Sequence, residues 1–200
     1  MMVSITTCYK KNRITFFVNL FFSLMVLIYS TYTYAESSSL HIKTADLVLE
    51  QDYYFLNADI DINFNPNVED ALSKGVPLTF ILEFQVVSPR KYWFDDEVVT
   101  LSQPITLSYH ALSRQYLVIR GTHQQSFPTF QQAKEELSRV RDWQVLDQSL
   151  IKKGENFAAV LRIRLDQSQL PKPLQVEAIG SEEWEMVSQR YRWIPILENK

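Results

Sequence analysis

Three segments of this chain carry an apolar residue at every second position. In the first of them the polar residues Asn57, Asp59 and Asp61 alternate with aromatic and aliphatic ones. The three apolar series are Tyr54, Leu56, Ala58, Ile60, Ile62 and Phe64; Leu78, Phe80, Leu82, Phe84 and Val86; and Phe157, Ala159, Leu161, Ile163 and Leu165. Because successive side chains of a strand point to opposite faces, each series predicts a β-strand with one buried and one wet face.

Shorter apolar runs predict further strands around these three. Residues 47–49 precede the first series across Glu50-Gln51-Asp52, which predicts a β-hairpin. Residues 116–119 are apolar on both sides, so we expect them to form a central strand. Weaker patterns predict three more strands, at residues 97–101, 105–109 and 191–197.

Two helices are predicted between the strands. Thr129 and the glutamine three residues later match a capping box, and the apolar residues after them recur at helical spacing. These signals predict an amphipathic helix over about residues 129–142. A shorter helix is predicted over residues 67–74, capped by Asn67 and ended by Gly75.

The elements together predict one domain, residues 36–200, of mainly β class with a minor α component. Many short strands with short connections are typical of an antiparallel β-sandwich or a strongly bent sheet. The amphipathic helix is expected to pack on that sheet, and the short helix is the second helix of the domain.

The N-terminal region predicts export. Three basic residues precede an apolar run at residues 14–29, and small residues follow up to Ala35. This layout predicts a secretory signal at residues 1–35, cleaved between Ala35 and Glu36. The apolar run is shorter than the roughly 20 residues that span a bilayer comfortably, which favours cleavage over the alternative, retention as an N-terminal anchor. Either outcome predicts a periplasmic domain, free or anchored to the inner membrane.

Composition argues against several classes of function. The single cysteine, Cys8, precedes the apolar run, so the exported domain needs no disulfide and has no thiol chemistry. The formal net charge of −3 argues against a nucleic-acid partner. The three histidines, His41, His110 and His123, are too scattered to predict a metal site, and no cofactor motif is present. We therefore expect no metal, no cofactor and no enzymatic activity.

An arginine pair is the first candidate binding feature. Arg162 and Arg164 share one face of their predicted strand, and Asp166 lies on the same side. Two arginines could clasp an anionic ligand, with Arg114 extending the positive patch. We favour the alternative, in which the arginines form a solvent-side ladder with acids on the next strand.

Two turn segments supply the other candidates. Arg90 and Trp93 lie in an aromatic and acidic segment, and Tyr109 and His110 lie in another. His110 could form a hydrolytic site with Asp95 or Asp96, but a turn histidine bonded to backbone is favoured. The full candidate cluster is Arg90, Trp93, Tyr109, His110, Arg114, Arg162, Arg164 and Asp166.

Aromatic residues near the C-terminus have two interpretations. Trp184, Tyr191 and Trp193 could form an exposed binding surface. We favour the other interpretation, in which they close the core at the last strand.

Four segments carry a resemblance to a known family. They are ALSKGVPLTF (71–80), RKYWFD (90–95), LSYHALSRQY (107–116) and RIRLDQSQLPKPLQV (162–176). In this order they resemble an uncharacterised family of exported proteobacterial proteins, domain of unknown function 4390, sometimes labelled proline-rich signal-peptide protein. The resemblance implies a periplasmic or inner-membrane-associated location and brings no activity, cofactor or catalytic residue. An association of relatives with membrane sensor kinases of the nitrogen-regulation type implies a role as a signalling accessory.

These observations lead to three functional hypotheses. The first is a non-enzymatic protein-interaction or signalling-accessory module whose partner is an envelope protein such as a sensor kinase. The second is a binder of a small anionic or lipid-like ligand, through Arg162, Arg164 and Arg114 near Trp93. The third and weakest is a hydrolase that uses His110.

Overall fold

A computed structural model describes residues 38–90, 95–151 and 156–197 of the chain. These residues belong to one compact unit, Ser37–Lys200. The predicted signal, its cleavage point between Ala35 and Glu36, and Trp93 lie outside the described residues.

The described residues form nine strands and three α-helices. The strands are β1 (Ser39–Glu50), β2 (Tyr53–Asn63), β3 (Leu78–Ser88), β4 (Asp96–His110), β5 (Gln115–Arg120), β6 (His123–Phe127), β7 (Arg139–Asp147), β8 (Ala158–Leu165) and β9 (Tyr191–Trp193). The helices are α1 (Pro66–Ser73), α2 (Phe130–Leu137) and α3 (Lys172–Ala178), with 3-10 turns at Gln148–Leu150 and Gln167–Gln169. None of the described helices is long and apolar enough to cross a membrane.

The strands form two antiparallel sheets. The smaller has the order β1-β2-β7 and the larger the order β6-β5-β4-β3-β8-β9. The apolar series of β2, β3 and β8 are buried in one shared core, and Phe84 of β3 meets Trp143 of β7 with ring centroids 6.3 Å apart. The predicted mainly β, antiparallel fold is therefore confirmed.

The hairpin between β1 and β2 forms as predicted. Leu49 pairs with Tyr54, and Gln51 in the turn has a positive φ of 57°. β1 extends eight residues further toward the N-terminus than the short apolar run suggested, to Ser39. The strand predicted at residues 116–119 lies within β5, which has a neighbour on each side as expected, and Val118 is its buried residue.

Two predicted strands, at residues 97–101 and 105–109, are one continuous strand, β4. It passes through Pro104, a residue that cannot donate a hydrogen bond to a neighbouring strand. β4 pairs with β3 from Asp96 to Leu107, whereas its pairing with β5 begins only at Ile105. Pro104 therefore sits where the second neighbour ends, and its missing N–H costs no ladder bond on that side.

The predicted helix boundaries need correction. α2 begins after its cap Thr129 as expected, but it ends at Leu137, and residues 139–142 belong to β7. Pairing of β7 with β2 takes these residues out of the helix, and Ile60 N–H bonds the carbonyl of Ser138 at that point. α1 is capped by Asn65 rather than Asn67.

The C-terminal part of the chain also differs from expectation. The proline-rich exit of β8 forms a 3-10 turn and then α3, although no helix was predicted there. Pro173 fits there because the first turn of a helix needs no N–H donor. β9 covers only Tyr191–Trp193 of the strand expected at residues 191–197.

Candidate functional site

Arg162 and Arg164 lie on the outer face of β8, opposite β3. Arg164 Nε donates to a Glu83 carboxylate oxygen at 2.9 Å, and Arg162 Nη1 is 4.0 Å from the other oxygen. The side chains of Arg162, Arg164 and Glu83 are 33, 34 and 30% exposed. The ladder interpretation is thus confirmed, because the acid comes from the neighbouring strand in the pairing Glu83–Arg162.

Asp166 stabilises the turn that directly follows β8. Its carboxylate accepts hydrogen bonds from Ser168 N–H at 3.2 Å and from Ser168 Oγ at 2.7 Å, which caps the following 3-10 turn. Arg164, Asp166 and Glu185 are among the residues that line a cleft of about 490 Å³. Two carboxylates face one arginine there, and that arginine already binds Glu83, so the cleft does not suit an anionic ligand.

Arg90 lies far from the other candidates. It forms an ion pair with Asp96 where β3 ends and β4 begins. His110 ends the same 15-residue strand, so about 45 Å separate it from Asp96 at roughly 3.3 Å per residue. The hydrolytic arrangement of His110 with Asp95 or Asp96 is therefore contradicted.

His110 belongs to the turn between β4 and β5. Its Nδ1 lies 2.9 Å from Ser113 Oγ, and the Ser113 N–H donates to the same nitrogen at 3.3 Å. Arg114 follows in the left-handed conformation with a φ of 53°. The favoured interpretation of His110 as a turn residue is confirmed, and Arg114 lies in this turn, away from the arginine pair on β8.

Tyr109 packs beside a small aromatic groove that was not expected from the sequence. Its ring centroid lies 4.9 Å from that of Tyr116, which in turn lies 5.7 Å from that of Phe130 on α2. We call the cleft of about 340 Å³ beside them the aromatic groove; it is lined by Pro66, Glu69, Asp70, Leu72, Ser73, Tyr116 and Phe130. Burial raises the pKa of Tyr116, and Tyr109 and Glu69 raise it further.

The aromatic residues near the C-terminus close the core, as favoured. Trp184 is 2% exposed, and Phe84 and Trp193 have ring centroids 6.3 Å apart. Tyr191 and Trp193 are partly buried against the same core. They form no exposed binding surface.

The described candidates therefore do not converge. They lie in three places: the arginine ladder with Arg162, Arg164 and Asp166; the β4–β5 turn with Tyr109, His110 and Arg114; and the far end of β4 with Arg90. Within the described ranges, no three His, Cys, Asp or Glu side chains are grouped so that they could hold a metal ion.

A different feature marks the larger sheet. Residues 96–104 of β4, which we call the β4 edge, have β3 on one side and no strand on the other among the residues that the structure describes. Val98, Val99 and Leu101 in this segment are partly buried against the core. The sequence gives no signal of this edge. It arises because β5 pairs with only the second half of β4, and local sequence patterns do not determine that pairing.

Comparison with known proteins identifies one similarity. A family model described as "Domain of unknown function (DUF4390)" matches residues 37–194. No curated protein and no solved structure matches the chain.

Proposed function

Because the chain belongs to the DUF4390 family, whose description names no activity, we propose that it is an exported periplasmic protein that binds an envelope protein partner and catalyses no reaction. The partner contributes an extended segment that pairs with the β4 edge. The role is that of an interaction or signalling-accessory module.

The observation that carries this proposal is the half-paired state of β4. A strand with an open side presents backbone N–H and C=O groups that another chain can pair with, and strand addition is a common mode of peptide recognition. Within the described ranges, β4 is an interior strand over residues 105–110 and an open one over residues 96–104. A partner segment would therefore continue the line of β5 and complete the sheet.

The position of Pro104 indicates which backbone N–H groups of β4 face a partner strand. The carbonyl of Thr79 in β3 accepts a hydrogen bond from the N–H of the residue just after β8, so Thr79 and, two residues on, Ile81 direct their backbone groups toward β8. Pro104 pairs with Ile81 and therefore has its own backbone groups on the side away from β3. In an antiparallel ladder the N–H and C=O of one residue point to the same side and the side alternates along the strand. Ser102 and Thr100, two and four residues before Pro104, are thus expected to direct their N–H groups to the open side.

The arginine ladder does not favour the alternative of a small anionic ligand. The Glu83 carboxylate already compensates the charge of Arg164 at 2.9 Å and lies 4.0 Å from Arg162. An anion bound at the two arginines would therefore meet the repulsion of a neighbouring carboxylate.

The test compares Ser102→Pro with Ser102→Ala. The proline removes an N–H from the open side and the alanine keeps it, while both remove the hydroxyl. Each protein, immobilised, is offered a solubilised envelope fraction, with the outer domain of a sensor kinase as the first defined partner. We expect a species that binds the wild type and Ser102→Ala and is lost from Ser102→Pro.

Two results would count against strand pairing at the β4 edge. One is equal recovery of the partner by both variants, and the other is the absence of any specific partner of the wild type. Thermal melting of both variants provides the folding control, because residues on the open side lose no ladder bond to β3.

Export is supported by the basic, apolar and small-residue order of the N-terminal segment. The prediction is a mature chain that starts at Glu36. Mass spectrometry of the protein from a periplasmic extract measures this directly. A full-length mass in the membrane fraction would replace cleavage by anchoring, and a location in the cytoplasm would contradict the proposal.

A further inference from the structure

We infer that the aromatic groove between α1 and α2 is a second binding site, and that its ligand is an arginine side chain of a peptide. The site is separate from the β4 edge, because Tyr116 pairs with Tyr109 near the opposite end of β4. It is thus independent of strand pairing.

Two aromatic rings line the groove. Tyr116 and Phe130 have centroids 5.7 Å apart, and Tyr109 and Phe64 pack against them, with centroids 4.9 Å from Tyr116 and 5.6 Å from Phe130. A guanidinium group stacks on such rings and gains cation–π attraction from them. The volume of about 340 Å³ is large enough for one long side chain.

The rim of the groove is acidic. Glu69 and Asp70 from α1 line it, and no basic side chain of the described residues does. Lys74 engages Asp70 at 2.5 Å, whereas the Glu69 carboxylate has no ion pair or side-chain hydrogen bond within the described part of the chain. An uncompensated carboxylate beside aromatic rings is complementary to a cation, and a guanidinium can bind it with two parallel hydrogen bonds.

The Glu69 carboxylate acts electrostatically on Tyr116, which lines the groove. The pKa of Tyr116 is raised by burial first, and then by Tyr109 and Glu69. The Glu69 carboxylate therefore lies close enough to Tyr116 to place a negative charge beside the rings, which favours a cation.

The chain itself places a cation beside the aromatic rings around the groove. Lys134 of α2 lies with Nζ 5.9 Å from the ring centroid of Phe64, which packs against Phe130. Lys134 does not line the aromatic groove. A cation of the chain thus already contacts one of these rings from outside the groove.

The experiment titrates the protein with the peptide acetyl-Ala-Arg-Ala-amide and follows backbone amide shifts by NMR. The matched ligand is the same peptide with citrulline, which keeps the shape and loses the charge. We expect saturable shifts at Tyr116, Phe130 and Glu69 for the arginine peptide and none for the citrulline peptide. Free L-arginine, which carries an extra carboxylate, and the lysine peptide should both bind more weakly.

Variants locate the site. Glu69→Gln is expected to weaken the arginine peptide about tenfold, since a charge-assisted hydrogen-bonded pair is lost. Tyr116→Leu should weaken it several-fold through loss of ring stacking. Glu135→Gln, on α2 and outside the groove, is the matched control and should leave the affinity unchanged.

Each contrary result overturns a definite part of the inference. Equal binding of the citrulline peptide, or full affinity in Glu69→Gln, removes the cationic site. Equal binding of lysine or of free arginine removes the assignment to an arginine residue of a peptide. The amide spectra of the variants report folding, so a lost fold cannot be mistaken for a lost site.

Discussion

Arg164 and Glu83 form an ion pair on the outer face of the larger sheet, with Arg164 Nε donating to a Glu83 carboxylate oxygen at 2.9 Å. Arg162 lies 4.0 Å from the other oxygen of the same carboxylate. One acid therefore lies between two arginines that share a strand face and compensates their charge. The arginine pair is a structural feature of the β3–β8 pairing.

The first prediction concerns the removal of this acid. Glu83→Gln leaves two partly buried arginines facing each other without a counter-charge. Cross-strand charge pairs contribute roughly 0.2–1 kcal/mol each, so we expect the free energy of unfolding to fall by about 1 kcal/mol. For a domain of this size that corresponds to a drop of about 2–4 °C in the melting temperature. Circular dichroism at low and high salt measures it.

Glu97→Gln is the control for this prediction. Glu97 is an exposed acid of the adjacent strand β4 and has no ion pair among the residues that the structure describes. We expect its replacement to change stability by less than about 0.5 kcal/mol. Equal effects of the two variants would show that the Glu83 pairs contribute nothing beyond a generic surface charge.

The second prediction concerns the cap of α1. Asn65 is 2% exposed, accepts a hydrogen bond from Val68 N–H at 2.8 Å and donates to the carbonyl of Glu183 at 3.0 Å. Asn65→Ala removes the cap and leaves a part-buried carbonyl without its donor. We expect a loss of about 2–3 kcal/mol in the free energy of unfolding, measured by urea denaturation.

Asn67→Ala separates the true cap from the one that the sequence suggested. Asn67 makes only an exposed hydrogen bond, to a Glu183 carboxylate oxygen at 2.8 Å. Its replacement should cost less than about 1 kcal/mol. A larger loss from Asn67→Ala than from Asn65→Ala would contradict a helix that begins directly after Asn65.

The strands were predictable from sequence where one face of a strand is buried. The alternating series of β2, β3 and β8 predicted both that these segments are strands and which face of each strand is buried, since shifting such a strand by one residue would expose its apolar side chains. β6 carried no such signal, because four of its five residues are exposed. Its place in the sheet follows from the hairpin with β5 and not from its own residues.

The end of α2 and the candidate site were not predictable, for a shared reason. Residues 139–142 continue the helical pattern locally, but their pairing with β2 depends on contacts some 80 residues away. Likewise, Tyr109 and Phe130 were too far apart in sequence to predict the aromatic groove, and His110 and Asp96 lie at opposite ends of one long strand. Tertiary pairing overrides local pattern in each case.

The third prediction concerns Arg120, which lies beneath the end of α2. It donates to the carbonyls of Glu136 at 2.5 Å and Arg139 at 2.7 Å, and its side chain is 20% exposed. Burial lowers its pKa, and the Glu136 carboxylate opposes that change. Arg120→Met keeps the apolar stem but leaves two carbonyls and one carboxylate without their donor, so we expect a loss of about 3 kcal/mol by urea denaturation.

Arg114→Met is the control for Arg120. Arg114 lies exposed in the β4–β5 turn, so its replacement should change stability by less than about 0.5 kcal/mol. Hydrogen exchange adds a local readout, because Arg120→Met should speed exchange of the amides near Ser138 more than those of β3. Uniform acceleration across the domain would show that Arg120 does not act on the end of α2.

The fourth prediction concerns pH and the pair between β2 and β7. Arg141 Nη2 donates to the Asp59 carboxylate at 2.5 Å, and this hydrogen bond is the main cause that lowers the pKa of Asp59 below its ordinary value of 3.8. A carboxyl whose pKa is lower in the folded chain binds its proton less tightly there than in the unfolded chain. Its contribution to stability is therefore present above about pH 4 and is lost as the pH falls through the lowered folded pKa.

A double-mutant cycle of Asp59→Asn and Arg141→Met isolates this contribution from the other bonds of Arg141, which also donates to the carbonyls of Ala58 and Val140. Both side chains are nearly half exposed, so we expect a coupling of less than about 1 kcal/mol at pH 7. The coupling should shrink as the pH is lowered below 4, because protonation of Asp59 then removes the charge in the wild type as the mutation does. Urea denaturation at pH 7 and pH 3 measures it, and a coupling that is equal at both values would show that the ion pair does not link Asp59 to folding.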